Sequence, residues 1–291
     1  MFHGAMVALI TPFQDGAIDF ETLDELIEFQ IENGIDAIVP VGTTGESPTL
    51  SHAEHKQVIE RVVKTVGGSV PVIPGAGSNS TAEAIELTEF SKKVGADATL
   101  QVCPYYNKPT QEGFYQHFKA IAEEVDLPIV LYNIPGRCGG TGLTAETVAR
   151  LSQLDNIVAI KEASGRLDMA SEIASLCDMT ILSGDDSLTL PIAAVGGKGV
   201  ISVVANIVPA DVKAMTDLLL EGDFVSAQKW HKKLFALSKN LLSLATNPIP
   251  IKTAVAMLNL ASDELRLPMT PLDDANKEIL RKALTDYGLL K

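Results

Sequence analysis

The sequence predicts an α/β protein, a (β/α)8 TIM barrel with a C-terminal helical extension. Eight short apolar segments alternate with longer amphipathic segments over residues 1–222. The apolar segments are nearly continuous, which is typical of parallel strands that are buried on both faces. Beyond residue 222 no strand-like segment follows. A doubly wound sheet has about five or six strands more often than eight, so eight units favour the barrel.

The eight predicted strands are short, and helical patterns separate them. In chain order the strands read MVALITP, AIVPVG, PVIPGA, ATLQVCP, PIVLYN, IVAIK, TILSG and GVISVV. The helices are predicted at residues 19–33, 51–66, 81–94, 111–125, 144–151, 168–176, 187–195 and 209–220. Ser51 and Glu54 have the spacing of a capping box, which marks the start of a helix. Gly67 and Gly95 follow predicted helix ends, where a left-handed residue is common.

The residues after 222 predict helices packed on the barrel rather than an independent second domain. One helix is expected from the stripe of leucines at Leu234, Leu237, Leu241 and Leu244. Two more are expected around residues 251–261 and 272–288. We therefore divide the chain into a catalytic barrel, residues 1–222, and a helical appendage, residues 223–291.

Composition and charge exclude several classes of function. The 291 residues are 46% hydrophobic and carry a formal net charge of −14, which disfavours nucleic acid or an anionic membrane as a partner. No segment approaches the roughly 20 apolar residues that span a bilayer. The three cysteines form no CxxC pair, so neither a disulfide framework nor a structural zinc site is expected. These features, with an N-terminus that lacks a basic signal-peptide region, predict a cytoplasmic protein.

Polar side chains gather where the predicted strands end. In a (β/α)8 barrel the active site lies at the carboxyl ends of the strands. The polar residues at or just beyond those ends are Thr43, Thr44, Tyr105, Tyr106, Tyr132, Arg137 and Lys161. The sequence therefore predicts a site rich in hydrogen-bond donors at this rim.

Lys161 ends the apolar strand IVAIK, and its position in the sequence allows two interpretations. A lysine at a strand end commonly reaches solvent. A lysine held in apolar surroundings is instead a candidate Schiff-base nucleophile. Tyr132 ends the preceding strand, and neighbouring strands lie about 4.8 Å apart. The two strand ends can therefore bring a phenol, which can transfer protons, next to the amine.

Three further motifs carry weaker signals. GTTGES, residues 42–47, supplies glycines and two hydroxyls and is a candidate carboxylate cradle. HAEH, residues 52–55, matches neither common zinc motif, so no catalytic metal is expected. Asp185 and Asp186 in SGDDS are interpreted as a structural helix N-cap region.

Seven motifs, in this order, resemble the 4-hydroxy-tetrahydrodipicolinate synthase family, formerly called the dihydrodipicolinate synthases. They are GTTGES, PYYNKPTQEG, LYNIPGR, IKEASG, SGDD, GVISVVAN and NPIPIK, and the resemblance extends over essentially the whole chain. The family belongs to the pyruvate-dependent class I aldolase superfamily. Its fold is a (β/α)8 barrel with a C-terminal helical extension, which agrees with the pattern of segments.

The resemblance implies a lyase that condenses pyruvate with L-aspartate 4-semialdehyde to give 4-hydroxy-tetrahydrodipicolinate, the first committed step of lysine and diaminopimelate biosynthesis. It implies no cofactor and no metal, because the protonated imine is itself the electron sink. By the same resemblance Lys161 forms the Schiff base, Tyr132 is the general acid/base, and Thr43 links Tyr132 to Tyr106 in a proton relay. The implied substrate-binding groups are Thr44, Arg137 and the backbone carbonyl of Ile201.

The resemblance also implies regulation and assembly. The family commonly forms a homotetramer, a dimer of dimers, in which Tyr106 reaches the active site of a neighbouring subunit. Its lysine-sensitive members bind the feedback inhibitor L-lysine at the dimer interface. The matching positions here are Ser47, Leu50, His52, His55, Asn79, Glu83 and Tyr105. Pro48 and Cys138 depart from the commoner family pattern, and Pro48 leaves lysine sensitivity open.

Two alternative functions remain. An N-acetylneuraminate lyase or a 2-keto-3-deoxy sugar-acid aldolase of the same superfamily shares the lysine and the tyrosine. Arg137 and the paired threonines favour the synthase, since neuraminate lyases more often have a serine before the second threonine and lack this arginine. A non-catalytic barrel that senses a keto acid is disfavoured, because a binding protein has no need of Lys161 as a nucleophile.

Overall fold

Parallel strands form the centre of the fold, as the near-continuous apolar segments predict. This computed structural model describes residues 2–291. Its strands are β1 (Gly4–Ala8), β2 (Phe13–Gln14), β3 (Ala17–Ile18), β4 (Ala37–Val39), β5 (Thr99–Val102), β6 (Ile129–Asn133), β7 (Ile157–Glu162), β8 (Thr180–Ser183) and β9 (Gly199–Ser202). Within the described residues one seven-stranded sheet follows the order β4–β1–β9–β8–β7–β6–β5, with every pairing parallel.

The third predicted strand, PVIPGA, is wrong as a strand but lies where the barrel needs it. It forms two isolated parallel bridges, from Val72 to Ile38 beside β4 and from Gly75 to Leu100 in β5. Pro71 and Pro74 have no N–H to donate, so a regular ladder cannot form through them. Their carbonyls still accept hydrogen bonds, from Ile38 N at 3.0 Å and from Leu100 N at 2.8 Å. The segment thus closes the sheet, and the predicted (β/α)8 barrel with a helical extension is confirmed.

Helices follow the strands at the predicted places. Around the barrel they are α1 (Phe20–Glu32), α2 (His52–Val66), α3 (Thr81–Val94), α4 (Gln111–Glu124), α5 (Ala145–Leu151), α6 (Leu167–Leu176), α7 (Thr189–Ala194) and α8 (Pro209–Glu221). The capping box of α2 is confirmed, since Ser51 Oγ accepts from Glu54 N–H and the Glu54 carboxylate accepts from Ser51 N–H. Gly67 and Gly95 cap α2 and α3 in the left-handed conformation.

A short hairpin, β2 with β3, precedes α1 and was not predicted. Its turn is Asp15–Gly16, and both residues have positive φ, 53° and 80°. Asp-Gly between short strands is a common hairpin signal, so the sequence contained this information. The hairpin places the fully buried Phe13 beneath Lys252 and Arg266 of the C-terminal appendage.

The appendage consists of α9 (Phe224–Ser243), α10 (Ile249–Met257) and α11 (Asp274–Tyr287). Helix α9 packs on α8 and α11, and Lys233 in α9 forms a 2.6 Å ion pair with Asp211 in α8. The Tyr287 hydroxyl of α11 donates to the same carboxylate. Among the described residues, no helix combines the length and the apolar character that a membrane crossing requires. The division of the chain at residue 222 remains a prediction.

Side chains inside the barrel form an apolar cluster of their own, separate from the clusters under the helices. The cluster includes Met6, Ala8, Val39, Ile73, Leu100, Val130, Tyr132, Ala159, Leu182 and Ile201. The barrel interior is therefore a packed core, and Tyr132 is the member of this cluster that carries a hydroxyl.

Candidate active site

Lys161 and Tyr132 meet at the carboxyl ends of two neighbouring strands. They are direct register partners in the parallel pairing of β6 with β7. Lys161 Nζ lies 4.2 Å from the centroid of the Tyr132 ring, and both residues are 5% exposed. Lys161 is thus held at the mouth of the barrel rather than extended into solvent.

Glu162, the second charge at the end of β7, fixes the surrounding backbone. Its carboxylate accepts from the Asn133 side-chain amide at 2.8 Å and from Ser164 N–H at 2.6 Å. Asn133 Oδ1 in turn accepts from Leu143 N–H at 3.0 Å. Burial raises the pKa of the Glu162 carboxyl, and these two hydrogen bonds oppose that rise. The network ties together the ends of β6 and β7, from which Tyr132 and Lys161 project.

Asp185 of SGDDS lies at the N-cap position of a short 3-10 helix, Asp186–Leu188, as predicted, although its side chain makes no capping hydrogen bond. Asp186 is buried, and its carboxylate accepts from Ser202 Oγ, from Val203 N–H at 2.9 Å and from Val204 N–H at 3.3 Å. It therefore anchors the end of β9, as a structural residue. Burial raises the pKa of Asp185, and the Lys161 ammonium opposes this rise.

The GTTGES turn brings two hydroxyls to the same rim after β4. Its amides at Glu46 and Ser47 are used inside the turn, donating to Thr43 O and Gly42 O, each at 3.2 Å. A Cβ at Gly45 would lie 2.8 Å from Val41 N, so the turn cannot close with a larger residue. The turn is held closed with its two threonines side by side in sequence. Its role as a carboxylate cradle stays a prediction.

One residue from the appendage, Asn247, contacts this rim, and the sequence analysis did not predict its role. The Asn247 side-chain amide donates to Thr44 Oγ1 at 3.0 Å. The backbone carbonyl of Asn247 accepts from Arg137 Nη2 at 3.1 Å. Arg137 ends a short 3-10 helix, Pro135–Arg137, just beyond β6. Asn247 thus touches both predicted carboxylate-binding side chains.

Ile201 and Tyr106 occupy opposite environments. Ile201 in β9 is fully buried in the barrel-interior cluster with Tyr132. Tyr106 is 89% exposed and has a φ of 70°, in the left-handed region. The relay that the resemblance implies from Thr43 to Tyr106 is therefore incomplete in the described part of a single chain.

A cavity of about 480 Å³ lies beside the rim and contains most of the predicted lysine-binding set. The members that line it are Ser47, Leu50, His52, His55, Glu83 and Tyr105. Thr43, Arg137 and Pro48 line it as well. A smaller cavity of about 40 Å³ is lined by Thr43, Ser47, His55 and Tyr132. The predicted catalytic and regulatory sites therefore share residues in their walls.

Several polar groups in and beside the larger cavity already have partners within the protein. Glu83 forms a 2.6 Å contact with His52 Nε2 and accepts from Ser78 Oγ. His55 Nε2 lies 2.7 Å from Gly75 O, and burial lowers the pKa of its imidazole. The Asn79 side-chain amide donates to the Tyr105 backbone carbonyl at 3.1 Å. A ligand that uses Glu83 must displace or share the His52 contact.

Comparison of the sequence with known proteins identifies the family of this chain. The model of the Dihydrodipicolinate synthetase family matches residues 1–287. The chain belongs to this family. A 4-hydroxy-tetrahydrodipicolinate synthase of Geotalea daltonii is 55% identical over all of both chains. The family's shared activity confirms the enzyme class that the motifs implied, a lyase of lysine and diaminopimelate biosynthesis.

Solved structures of the family superpose closely on the chain. Dihydrodipicolinate synthase from Acinetobacter baumannii, complexed with pyruvate, is 44% identical with a TM-score of 0.97 and 100% coverage of both chains. The enzyme from Cyanidioschyzon merolae, with lysine bound, is 43% identical with a TM-score of 0.95 and 99% coverage of both. The fold and the function of the family are therefore shared along the whole length of this chain.

Proposed function

We propose that the chain condenses pyruvate with L-aspartate 4-semialdehyde through a Schiff base on Lys161. The observation that carries this assignment is the buried amine of Lys161 against the ring of its register partner Tyr132. A neutral amine attacks the ketone of pyruvate, the carbinolamine loses water, and the resulting imine loses a C3 proton to give an enamine. Tyr132 is positioned to carry the protons for these steps.

The later steps return the lysine unchanged. The enamine carbon attacks the aldehyde carbon of the second substrate and forms the new C–C bond. The amino group of that substrate then attacks the imine carbon, which closes the ring and releases the Lys161 amine. Thr44 supports the carboxylate of pyruvate, and the planar fork of Arg137 suits the carboxylate of the semialdehyde. The buried backbone at Ile201 lines the pocket.

The assignment is tested by substrate choice. Pyruvate with L-aspartate 4-semialdehyde is expected to give product, whereas pyruvate with N-acetylmannosamine is expected to give none. Turnover of pyruvate with N-acetylmannosamine but not with the semialdehyde would contradict the synthase assignment and indicate a neuraminate lyase. Binding of pyruvate without turnover of either pair would indicate a sensor.

Assembly is expected to complete the relay, because Tyr106 is exposed in the single chain. We propose a homo-oligomer, a tetramer built as a dimer of dimers, in which Tyr106 serves the neighbouring subunit. Tyr106→Phe and Lys161→Arg should each be nearly inactive as pure proteins. Mixed by co-expression, they should recover about a quarter of the wild-type activity, since half of the dimers hold one complete site. Recovery indistinguishable from zero, with mixed dimers shown by mass, would place Tyr106 outside the neighbouring site.

We also propose that L-lysine binds the larger cavity and inhibits turnover. Asn79 and the Tyr105 hydroxyl can donate hydrogen bonds to the carboxylate of the ligand, and Glu83 can pair with its α-ammonium. The side chain of the ligand would then lie against Ser47, Leu50, His52 and His55. Ser47 and Thr43 lie in one turn, so ordering the cavity constrains a hydroxyl of the active site. Millimolar L-lysine should therefore lower turnover.

The matched variants for this prediction lie on one helix. Glu83→Ala should abolish inhibition, because it removes the carboxylate that faces the cavity. Glu86→Ala removes a carboxylate from the same helix that pairs with Lys56 at the surface, and it should leave inhibition intact. Wild-type turnover unaffected by lysine would reject the site, and equal inhibition of both variants would place it elsewhere.

A further inference from the structure

A buried ion pair joins the appendage to the GTTGES turn. Lys252 Nζ in α10 lies 2.5 Å from Glu46 Oε1, and the two side chains are 0% and 2% exposed. The same ammonium donates to Glu264 O at 2.6 Å and lies 4.2 Å from the centroid of the Phe13 ring. Burial lowers the pKa of Lys252, and the Glu46 carboxylate opposes that effect.

Stability alone is a poor explanation for a pair in this position. Removing two charges from water is unfavourable, and apolar residues of similar volume often stabilise a core as well or better. The appendage is also attached to the barrel elsewhere, because its helix α9 packs on α8 and on its own helix α11. A buried pair does have one property that apolar contacts lack, which is a single preferred geometry.

The geometry at Glu46 is fixed in detail. Its φ is 54°, a left-handed conformation that is unfavourable for a residue other than glycine. One carboxylate oxygen accepts from Lys252, and the other accepts from Arg266 N–H at 3.2 Å. The Glu46 amide donates to Thr43 O at 3.2 Å. A change in the Glu46 side chain is therefore passed directly to the backbone of Thr43.

A second contact from the appendage reaches the neighbouring threonine. Asn247, two residues before α10, donates to Thr44 Oγ1 at 3.0 Å. Lys252 lies in the first turns of that helix, and its N–H donates to Pro248 O at 3.0 Å, so the two contacts come from one short segment of the appendage. The paired threonines are thus held from the appendage by a side-chain hydrogen bond and by the ion pair.

We propose that Glu46 and Lys252 are positioning residues, through which the helical appendage sets the Thr43 and Thr44 hydroxyls for pyruvate. This inference rests on the proposed function, because it assigns the two hydroxyls to the pyruvate end of the reaction. The appendage is then part of the machinery of the active site, although neither member of the pair touches substrate.

The test uses pyruvate alone, with borohydride reduction of the imine and mass measurement of the intact enzyme. The final labelled fraction counts the folded, competent sites, and the pyruvate concentration for half-maximal labelling rate reports the positioning of pyruvate. In Lys252→Met, which keeps the stem but removes the ammonium, the pyruvate concentration for half-maximal labelling rate should rise about 10- to 100-fold. A purely structural role predicts fewer labelled sites with an unchanged half-maximal concentration.

Two further variants keep the test decisive. Glu46→Gln/Lys252→Met leaves no unpaired buried charge, so it should fold even where the single variant does not, and it should show the same defect. Adding Lys252→Met to Thr43→Val should have little further effect if the pair acts through the Thr43 hydroxyl. Full additivity would contradict that route.

Lys233→Met is the matched control, because it removes an ion pair that attaches the appendage to α8, away from the turn. Its pyruvate concentration for half-maximal labelling rate should equal that of the wild type. Normal labelling by folded Lys252→Met and by the double variant would overturn this inference alone. Absence of label in the wild type would instead overturn the proposed function.

Discussion

Replacing Lys161 with arginine is expected to remove nearly all turnover and to leave the fold intact. A guanidinium stays protonated, so it cannot attack the ketone of pyruvate, while its positive charge and length resemble those of lysine. The site holds this side chain 5% exposed against the Tyr132 ring, so keeping the charge limits the structural change. We expect a loss of at least about 10³-fold in kcat, as for removal of other covalent nucleophiles.

Chemical trapping locates the nucleophile independently of turnover. Incubation with pyruvate, borohydride reduction and digestion should add the pyruvate-derived mass to the peptide that contains Lys161. Lys161→Arg should take up no label. Lys198→Arg, which alters an exposed lysine just before β9 at the opposite end of the barrel, should label and turn over normally. A label on any other lysine of the wild type would exclude this mechanism.

The barrel could be predicted because its information is local. Buried parallel strands leave continuous apolar segments, and capping residues mark the helices between them. The failure at PVIPGA shows the limit of that reasoning. Apolar character reports burial, but the ladder also needs N–H donors, which Pro71 and Pro74 lack. The hairpin at Asp15–Gly16 is a different case, since its turn signal was present in the sequence.

Only those residues of the site that lie at the ends of predicted strands could be placed from the sequence. Tyr132 and Lys161 belong to adjacent strands of known polarity, so their meeting follows from the barrel itself. The contact of Glu46 with Lys252 joins residues 206 positions apart, and no local pattern indicates it. Asn247 presents the same difficulty, because its partner Thr44 lies 203 positions away. Tertiary packing of the appendage decides both contacts.

Tyr132→Phe, which removes only the phenol oxygen, should lower kcat by nearly the whole factor that a catalytic proton transfer contributes. Tyr132→Phe keeps the ring in the barrel-interior cluster and keeps the contact of the ring with Lys161 Nζ. It deletes the hydroxyl that we assign to proton transfer during carbinolamine dehydration and imine formation. General acid–base catalysis contributes about 10²- to 10⁴-fold, so we expect kcat to fall within that range.

The readout separates proton transfer from packing. Imine trapping with pyruvate should be slow in Tyr132→Phe but should reach the same final labelled fraction as the wild type, since Lys161 remains. Tyr115→Phe is the matched control, because it deletes the same atom from a tyrosine of α4 whose ring centroid lies 4.0 Å from Arg150 Cζ and which packs against a cluster other than the barrel-interior one. Its trapping rate and turnover should be those of the wild type. A Tyr132→Phe enzyme within about threefold of wild-type kcat would mean that another group or water carries the protons, and the role assigned to Tyr132 would then be wrong.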